Sequence, residues 1–136
     1  MTIKKIISIG VLAAGLCSVP LAAQAGLTIV NNTDKDSTSI INDGMCSSSL
    51  SGGITKAHST NKVSDIIIGF ACYGHASDCK ADVYMTDNCS GDKVATVMFD
   101  TKKGIYDIKN VDTTKFKISG SGFTVNLDSG SALAVK

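Results

Sequence analysis

Tryptophan, arginine and glutamate are absent from this chain, and proline occurs once. All basic side chains are lysine, all acidic side chains are aspartate, and aromatic residues make up only 5% of the chain. Arginine recognises phosphate and guanine through its planar fork of donors, so its absence makes nucleic acid a poor candidate partner. The scarcity of aromatic rings disfavours stacking on sugars and anchoring at a membrane surface.

The missing glutamate and arginine also bear on the fold, because both are good helix formers. The Asp, Ser, Thr and Gly that dominate the polar positions favour turns, caps and strands instead. No stretch shows sustained 3.6-residue periodicity. Composition and pattern therefore indicate an all-β protein.

The N-terminus has the three parts of an export signal. Lys4 and Lys5 precede an apolar run over residues 6–16, which is too short for a stable membrane anchor. Pro20 ends this run, and Ala-Gln-Ala at 23–25 matches the small-x-small pattern of a cleavage site. We predict a signal peptide over residues 1–25 that is removed by the bacterial export machinery, and a protein secreted through the periplasm.

Residues 26–136 have the length of one domain. Without Lys4 and Lys5 this part carries 11 lysines and 12 aspartates, so its surface is close to neutral. It contains four cysteines, and an even number in a small exported domain indicates two disulfides. Zinc is disfavoured because no C-x2-C pair occurs and two histidines, His58 and His75, are the sole other candidate ligands.

Short β-rich runs alternate with segments of Gly, Asn, Asp and Ser along this domain, which predicts an antiparallel β-sandwich of about eight short strands. The continuous apolar run 66–72 is predicted to be a central strand, and residues 45–61 a long polar loop. The predicted strands are 27–30, 38–41, 66–72, 81–86, 94–99, 105–108, a hairpin over 116–127, and 132–135.

These strands restrict the disulfide pairing. If residues 80–88 form one strand, Cys79 and Cys89 lie about 30 Å apart, whereas bridged α-carbons lie within about 7 Å. If residues 66–72 and 80–88 form a hairpin, Cys72 and Cys89 lie at its opposite ends. The pairing that remains is Cys72–Cys79 with Cys46–Cys89. The second closes a loop of about 43 residues and is expected to contribute about 4 kcal/mol, against about 2–3 kcal/mol for the first.

The two histidines are the candidates for acid–base catalysis near neutral pH. However, the nucleophile pattern G-x-S-x-G is absent. Oxygen-rich loops around Asp34 and Asp87 offer calcium ligands, but Asp and Asn are also ordinary turn residues and no EF-hand spacing occurs. We predict no metal site, no cofactor and no catalytic residue.

The loop between Cys72 and Cys79 is the best candidate for a binding site, because a disulfide would hold it in a displayed position. It offers Tyr73, His75 and Asp78, and His58 lies in another polar loop.

Several segments together resemble a group of small exported proteins of intracellular Gram-negative bacteria, some of which are type II secretion substrates. The segments are 27–33 (Leu-Thr-Ile-Val-Asn-Asn-Thr), 36–38, 53–59, 81–91 and 95–100. The resemblance implies a secreted β-sandwich that acts outside the bacterium, towards a host. It carries no catalytic motif.

The sequence therefore favours a secreted, non-catalytic binding module that contacts an unidentified protein or surface ligand of a host or of the bacterial envelope. Two alternatives remain: a small hydrolase that uses His58 or His75, and a protease inhibitor whose disulfide-braced loop enters an active site.

Overall fold

Alternating buried and outward-facing residues build the strands of this protein, whose computed structural model describes residues 25–131. In the fifth strand, for example, Ala95, Val97 and Phe99 are buried while the residues between them are partly exposed. The signal peptide predicted over residues 1–25, apart from Ala25, lies outside the described residues, and so does the strand predicted at 132–135. The elements are β1 (Ala25–Asn31), β2 (Thr38–Ile41), a 3₁₀ turn (Ser47–Ser49), β3 (Ser59–Ser64), α1 (Asp65–Ala71), β4 (Cys79–Tyr84), β5 (Lys93–Asp100), β6 (Gly104–Asn110), β7 (Phe116–Ser121) and β8 (Thr124–Ser129).

The eight strands form two four-stranded sheets with the orders β3-β1-β8-β7 and β2-β4-β5-β6. All neighbouring strands are antiparallel except β1 and β8, which pair in parallel with Ile29 opposite Val125. The fold class predicted from sequence is thus confirmed, with one parallel pair added. The buried apolar residues of both sheets pack into one core: Leu27, Val83, Met85, Ala95, Val97, Phe99, Ile118, Val125 and Leu127, with the disulfide partners Cys72 and Cys79.

The two sheets meet directly along one side of the sandwich. There the Asn110 side chain on β6 donates to the Ile118 carbonyl and accepts from the Ile118 amide, at 2.9 and 2.8 Å. On the opposite side, β2 and β3 are the edge strands. The 3₁₀ turn contacts β2, and α1 contacts β1 and β3. The irregular elements of the fold therefore collect on this one side.

The run 66–72 is helical, so the strand predicted there is wrong. The Ser64 hydroxyl caps the helix by accepting from the Ile67 amide at 3.3 Å, and Asp65 places a negative charge in the first turn. Both interactions satisfy or complement the free amides at a helix N-terminus. The contacts of α1 with β1 and β3 then decide for the helix against the β preference of three consecutive isoleucines, since β preference is a weak guide when tertiary contacts are available.

The segment predicted as a long polar loop, 45–61, also contains more structure than expected. It holds the 3₁₀ turn and the start of β3, and it is joined to β2 by isolated bridges that pair Ser37 with Thr55 and Ile40 with Cys46. β3 carries mostly polar side chains and lacks the alternating apolar residues expected for a strand. It is an edge strand with one face in solvent, and polar residues are suited to that position.

The predicted disulfides Cys46–Cys89 and Cys72–Cys79 are confirmed, with Cα–Cα distances of 5.9 and 5.4 Å. The hairpin used to exclude Cys72–Cys89 does not exist, since residues 65–71 are helical. The pairing follows instead from the end of α1, where Cys72 lies beside the first residue of β4, Cys79. Cys89 lies beyond the other end of β4.

The two bridges differ in burial, and we expect them to be reduced in a fixed order. Cys72 and Cys79 are 2% and 0% exposed, whereas Cys46 and Cys89 are half-buried. Because an attacking thiolate must reach a sulfur atom, a limiting amount of reductant under native conditions should open Cys46–Cys89 first. Alkylation followed by peptide mass spectrometry measures this order, and earlier labelling of Cys72 or Cys79 would contradict it.

The Asn31 side chain organises the turn after β1. It is 1% exposed and donates to the carbonyls of Lys35 at 2.7 Å, Thr55 at 3.3 Å and Lys56 at 3.2 Å. Its oxygen accepts from the amide and the hydroxyl of Thr33 at 3.0 and 2.8 Å. The buried Asn31 side chain thus provides hydrogen-bond partners for backbone groups in two segments that are far apart in sequence. Buried polar groups need such partners.

We expect Asn31→Ala to lower the free energy of unfolding by about 2–3 kcal/mol, because it leaves buried carbonyls without a donor. Its neighbour Asn32 is exposed and donates to Asp128 at 2.9 Å, so Asn32→Ala is the matched control, with an expected change within about 0.5 kcal/mol. Urea denaturation of both variants measures the difference. Equal destabilisation would show that the Asn31 hydrogen bonds are not the cause.

Three exposed aspartates are stabilised in their charged form. The Lys80 ammonium, 2.8 Å from Asp43, lowers the pKa of that carboxyl, and Asp43 in turn raises the pKa of Lys80. The backbone amides of Lys102 and Lys103 donate to Asp100 and lower its pKa. The pKa of Asp112 is lowered by the hydroxyl and amide of Thr114, which both donate to it.

A carboxyl whose pKa is lower in the folded state stabilises the fold above its ordinary pKa of 3.8 and loses this effect as the pH falls through its folded value. Lys80, with a raised pKa, acts in the opposite sense and loses its contribution only above its ordinary 10.5. These groups therefore add no pH dependence between about pH 5 and 9, and add a loss of stability below 3.8.

Asp100→Asn tests this assignment. We expect it to lower the melting temperature at neutral pH, and the difference from the unmodified protein to shrink as the pH falls below 3.8. Thermal unfolding as a function of pH measures the difference. A gap that is constant down to pH about 2 would contradict the assignment.

Candidate interaction surface

Helix α1 carries apolar side chains on two opposite faces. Ile67, Ile68 and Ala71 turn inward and lie beside the core. Ile66 and Phe70, which are 82% and 62% exposed, lie on the outer face, and Tyr73 just after the helix is 87% exposed. The spacing i, i+4 places Ile66 and Phe70 on one face of the helix, and Tyr73 follows directly after it, where its amide donates to the Phe70 carbonyl at 3.3 Å. We call Ile66, Phe70 and Tyr73 the outer stripe.

Both ends of the outer stripe are held by the rest of the fold. Ser64 caps the first turn, and the Cys72 amide donates to the Ile68 carbonyl at 2.8 Å before Cys72 joins Cys79. Gly69 lies between the outer side chains, and a Cβ added there would meet no atom within 4 Å. Since glycine in a helix costs about 1 kcal/mol relative to alanine, packing within this chain does not account for its presence.

The loop 73–78 continues the surface beyond the helix as a series of turns. The His75 amide donates to the Cys72 carbonyl at 2.7 Å, and both the amide and the hydroxyl of Thr101 donate to the Ala76 carbonyl, at 2.7 and 2.9 Å. The imidazole of His75 lies 3.3 Å from an Asp78 oxygen, with both side chains exposed. Tyr73, His75 and Asp78 thus share one braced loop, as the sequence predicted.

His58 does not belong to this surface. It is exposed, adopts a positive φ of 53°, and precedes β3, whereas α1 follows the end of β3. The six residues of β3 separate the two places by roughly 20 Å. The fold therefore brings together three of the four candidate residues and leaves the fourth at the other end of an edge strand.

Both histidines lie at solvent-exposed positions in the described structure. Within residues 25–131, no Ser or Thr hydroxyl donates to either imidazole, and the partner of His75 is a solvent-exposed carboxylate. In the same range, no group of three His, Cys, Asp or Glu side chains is placed to hold a metal ion. Two aspartates near the first oxygen-rich loop have partners within the protein: Asp36 accepts from the Ala57 amide, and Asp43 binds Lys80.

Sequence analysis missed Ile66 and Phe70 because a buried strand was predicted there. Alternation within a strand would have turned Ile66 and Phe70 to the same side as Ile68, which in fact lies against the core. The available signal was the pair Ser64-Asp65 directly before the apolar run, a cap followed by an acidic first-turn residue.

The disulfide-tied sandwich with an apolar helix on its open side belongs to a class of small domains typical of oxidising compartments. A family model described as "T2SS substrate NttC" matches residues 4–136, and the chain belongs to this family of type II secretion substrates.

A solved structure agrees with this assignment. The crystal structure of the Legionella pneumophila type II secretion system substrate NttC is 26% identical, with a TM-score of 0.62, and the match covers 78% of this chain and 98% of that chain. Comparison with curated proteins gave no match. The resemblance to exported proteins of intracellular bacteria is thus confirmed, and the family indicates secretion. None of the helices within residues 25–131 is long and apolar enough to cross a membrane.

Proposed function

We propose that this protein is a secreted, non-catalytic binding module that acts outside the bacterium, and that the outer stripe of Ile66, Phe70 and Tyr73 is its main contact surface. The observation that carries the proposal is the exposure of three large apolar side chains, two on α1 and one directly after it, where a disulfide fixes the end of the helix to the sandwich. The family, whose members are type II secretion substrates, supports a site of action beyond the cell envelope.

The size of the outer stripe supports a protein partner. Three side chains of this kind expose on the order of 400 Å² of apolar surface, and the largest patches on monomeric proteins fall in this range and are often functional. A standard interface buries about 800 Å² per partner, so the neighbouring loop 73–78 would complete the contact. Its polar groups, His75 and Asp78, would then form part of a polar rim around aromatic anchors.

A rigid helix has an energetic advantage in this role. Ordering a flexible segment on binding costs roughly 0.5–1.5 kcal/mol for each immobilised side chain. The cap at Ser64 and the bridge Cys72–Cys79 fix the backbone of the outer stripe in advance. Gly69 leaves room for a partner to approach the helix backbone closely. This is the arrangement by which helices dock into apolar grooves through anchors at i, i+4 and i+7.

Photo-crosslinking tests the proposal. A benzophenone amino acid at position 70 should form adducts of defined mass when the purified protein is mixed with host-cell lysate or with outer-membrane fractions. The matched control is the same probe at Tyr106 on β6, an aromatic residue 56% exposed and remote from α1. We expect adducts at position 70 that are absent at position 106.

Substitutions in the outer stripe provide a second test of the proposal. Ile66→Ser and Tyr73→Ser should reduce adduct formation at position 70 at least about tenfold, since each removes an anchor of the kind that dominates interface energies. Both side chains are largely exposed, so the melting temperature should barely change. Identical adducts from positions 70 and 106, or adducts that survive both substitutions, would refute the outer stripe as the contact surface.

A further inference from the structure

An apolar cavity of about 80 Å³ lies between the two sheets, on the side of the sandwich that α1 and the 3₁₀ turn cover. Both sheets contribute to its walls. The core side chains that line it include Leu27, Val83, Val97, Phe99, Val125 and Leu127. Protein interiors rarely leave voids much larger than a water molecule, so a cavity of this size in a small domain is an exception.

The cavity approaches the surface between two walls. Its lining includes partly exposed residues on two segments, which form these walls: Ile67 and Ala71 on α1, and Leu50 and Gly53 after the 3₁₀ turn. The Ser47 hydroxyl donates to the Gly53 carbonyl at 2.6 Å and accepts from the Ser39 amide at 2.9 Å, which fixes the second wall to β2.

Each wall is also tied by one disulfide to an end of β4. Cys72, directly after α1, joins Cys79 at the start of β4, and Cys46, directly before the 3₁₀ turn, joins Cys89 beyond its end. The two disulfides thus connect both walls to strand β4 or to the residues just beyond it.

Most polar groups that line the cavity are already engaged within the protein. The hydroxyls of Ser37 and Thr38 donate to the carbonyls of Tyr84 and Thr86, and the Asn61 amide donates to the Gly52 carbonyl and the Thr55 hydroxyl. Of the lining hydroxyls in the described range, that of Ser39 has no such bond. A charged or strongly polar molecule would find no compensation here for its lost hydration, so the occupant must be apolar.

We propose that this cavity is a binding site for the end of an alkyl chain, as carried by a lipid or a small fatty alcohol. Its volume exceeds the roughly 10–15 Å³ needed for one water and is about half that of an apolar cavity known to bind benzene. It therefore fits a group of a few carbon atoms, while the opening beside α1 leaves the remainder of the chain outside. This site is distinct from the outer stripe, which lies on the opposite face of α1.

Thermal unfolding of the purified protein with hexan-1-ol tests the site, with hexane-1,6-diol as a control of equal length whose two ends are polar. We expect the melting temperature to rise with the logarithm of the hexan-1-ol concentration above the dissociation constant, by about 4–8 °C at ten times that constant, and not to rise with the diol. Absence of this rise with hexan-1-ol would overturn the proposal.

Two alanines provide matched variants. Ala71→Leu places three extra carbons into the cavity and should weaken hexan-1-ol binding at least about tenfold, since the same space cannot be occupied twice. Ala57→Leu makes the same change at a partly exposed position before β3 that does not line the cavity, and this variant should bind hexan-1-ol as the unmodified protein does. Unchanged binding by Ala71→Leu would refute the cavity as the site.

Nuclear Overhauser effects in the unmodified protein keep the test decisive if Ala71→Leu fails to fold. Contacts from the terminal methyl group of the alcohol to Val83, Val97 and Leu127 would support the cavity. Contacts confined to Ile66, Phe70 and Tyr73 would place the alcohol on the outer stripe and overturn the proposal. Flotation with phosphatidylcholine vesicles distinguishes the two sources of the alkyl chain. Vesicle binding that Ala71→Leu abolishes identifies a lipid as the ligand, whereas binding of hexan-1-ol without vesicle binding identifies a soluble compound.

Discussion

The covalent attachment of two irregular segments to the ends of strand β4 is the constraint on which the open side of this sandwich depends. Cys79 begins the strand and Cys89 follows it, and their partners hold the C-terminal end of α1 and the start of the 3₁₀ turn. On this side, where β2 and β3 are the edge strands, a seven-residue helix and a polar loop cover the core. The two disulfides hold both segments in place. Isolated helices shorter than about 12–15 residues are marginal in water, so α1 needs its cap, its core contacts and its bridge.

The same helix explains why both proposed sites lie on one side of the molecule. A short helix that is apolar all round cannot bury every face when it lies on the surface of a sandwich. Its inner face, Ile67, Ile68 and Ala71, lies beside the core but does not fill the space between the sheets. Its outer face keeps Ile66 and Phe70 in solvent. The incomplete packing behind α1 and the exposed stripe in front of it are two results of one unusually apolar sequence, 65–71.

The remainder of the fold is conventional, and much of it followed from local patterns. The strand predicted over 94–99 and the hairpin predicted over 116–127 are encoded by side chains close in sequence, and the structure has them as β5 and as β7 with β8. The dependence of the turn after β1 on Asn31 could not be predicted, because the carbonyls of Thr55 and Lys56 that this side-chain amide binds come from a segment 24 and 25 residues away.

The sequence by itself determined most of the strands, the sandwich class and the pairing of the four cysteines in residues 26–136, because these depend on periodicity, composition and chain length. It did not predict β3, and it predicted a strand where α1 lies. The pairing was correct although one step towards it, a hairpin of 66–72 with 80–88, was wrong: a helix that ends at Cys72 brings this cysteine to Cys79 as well as a strand would. Tertiary structure alone decided the helical state of 65–71, the parallel pairing of β1 with β8, and the exposure of Ile66 and Phe70. Each of these is set by which distant surfaces meet, and for an apolar run flanked by both strand and helix signals, local preferences of a few tenths of a kcal/mol per residue are too small to choose.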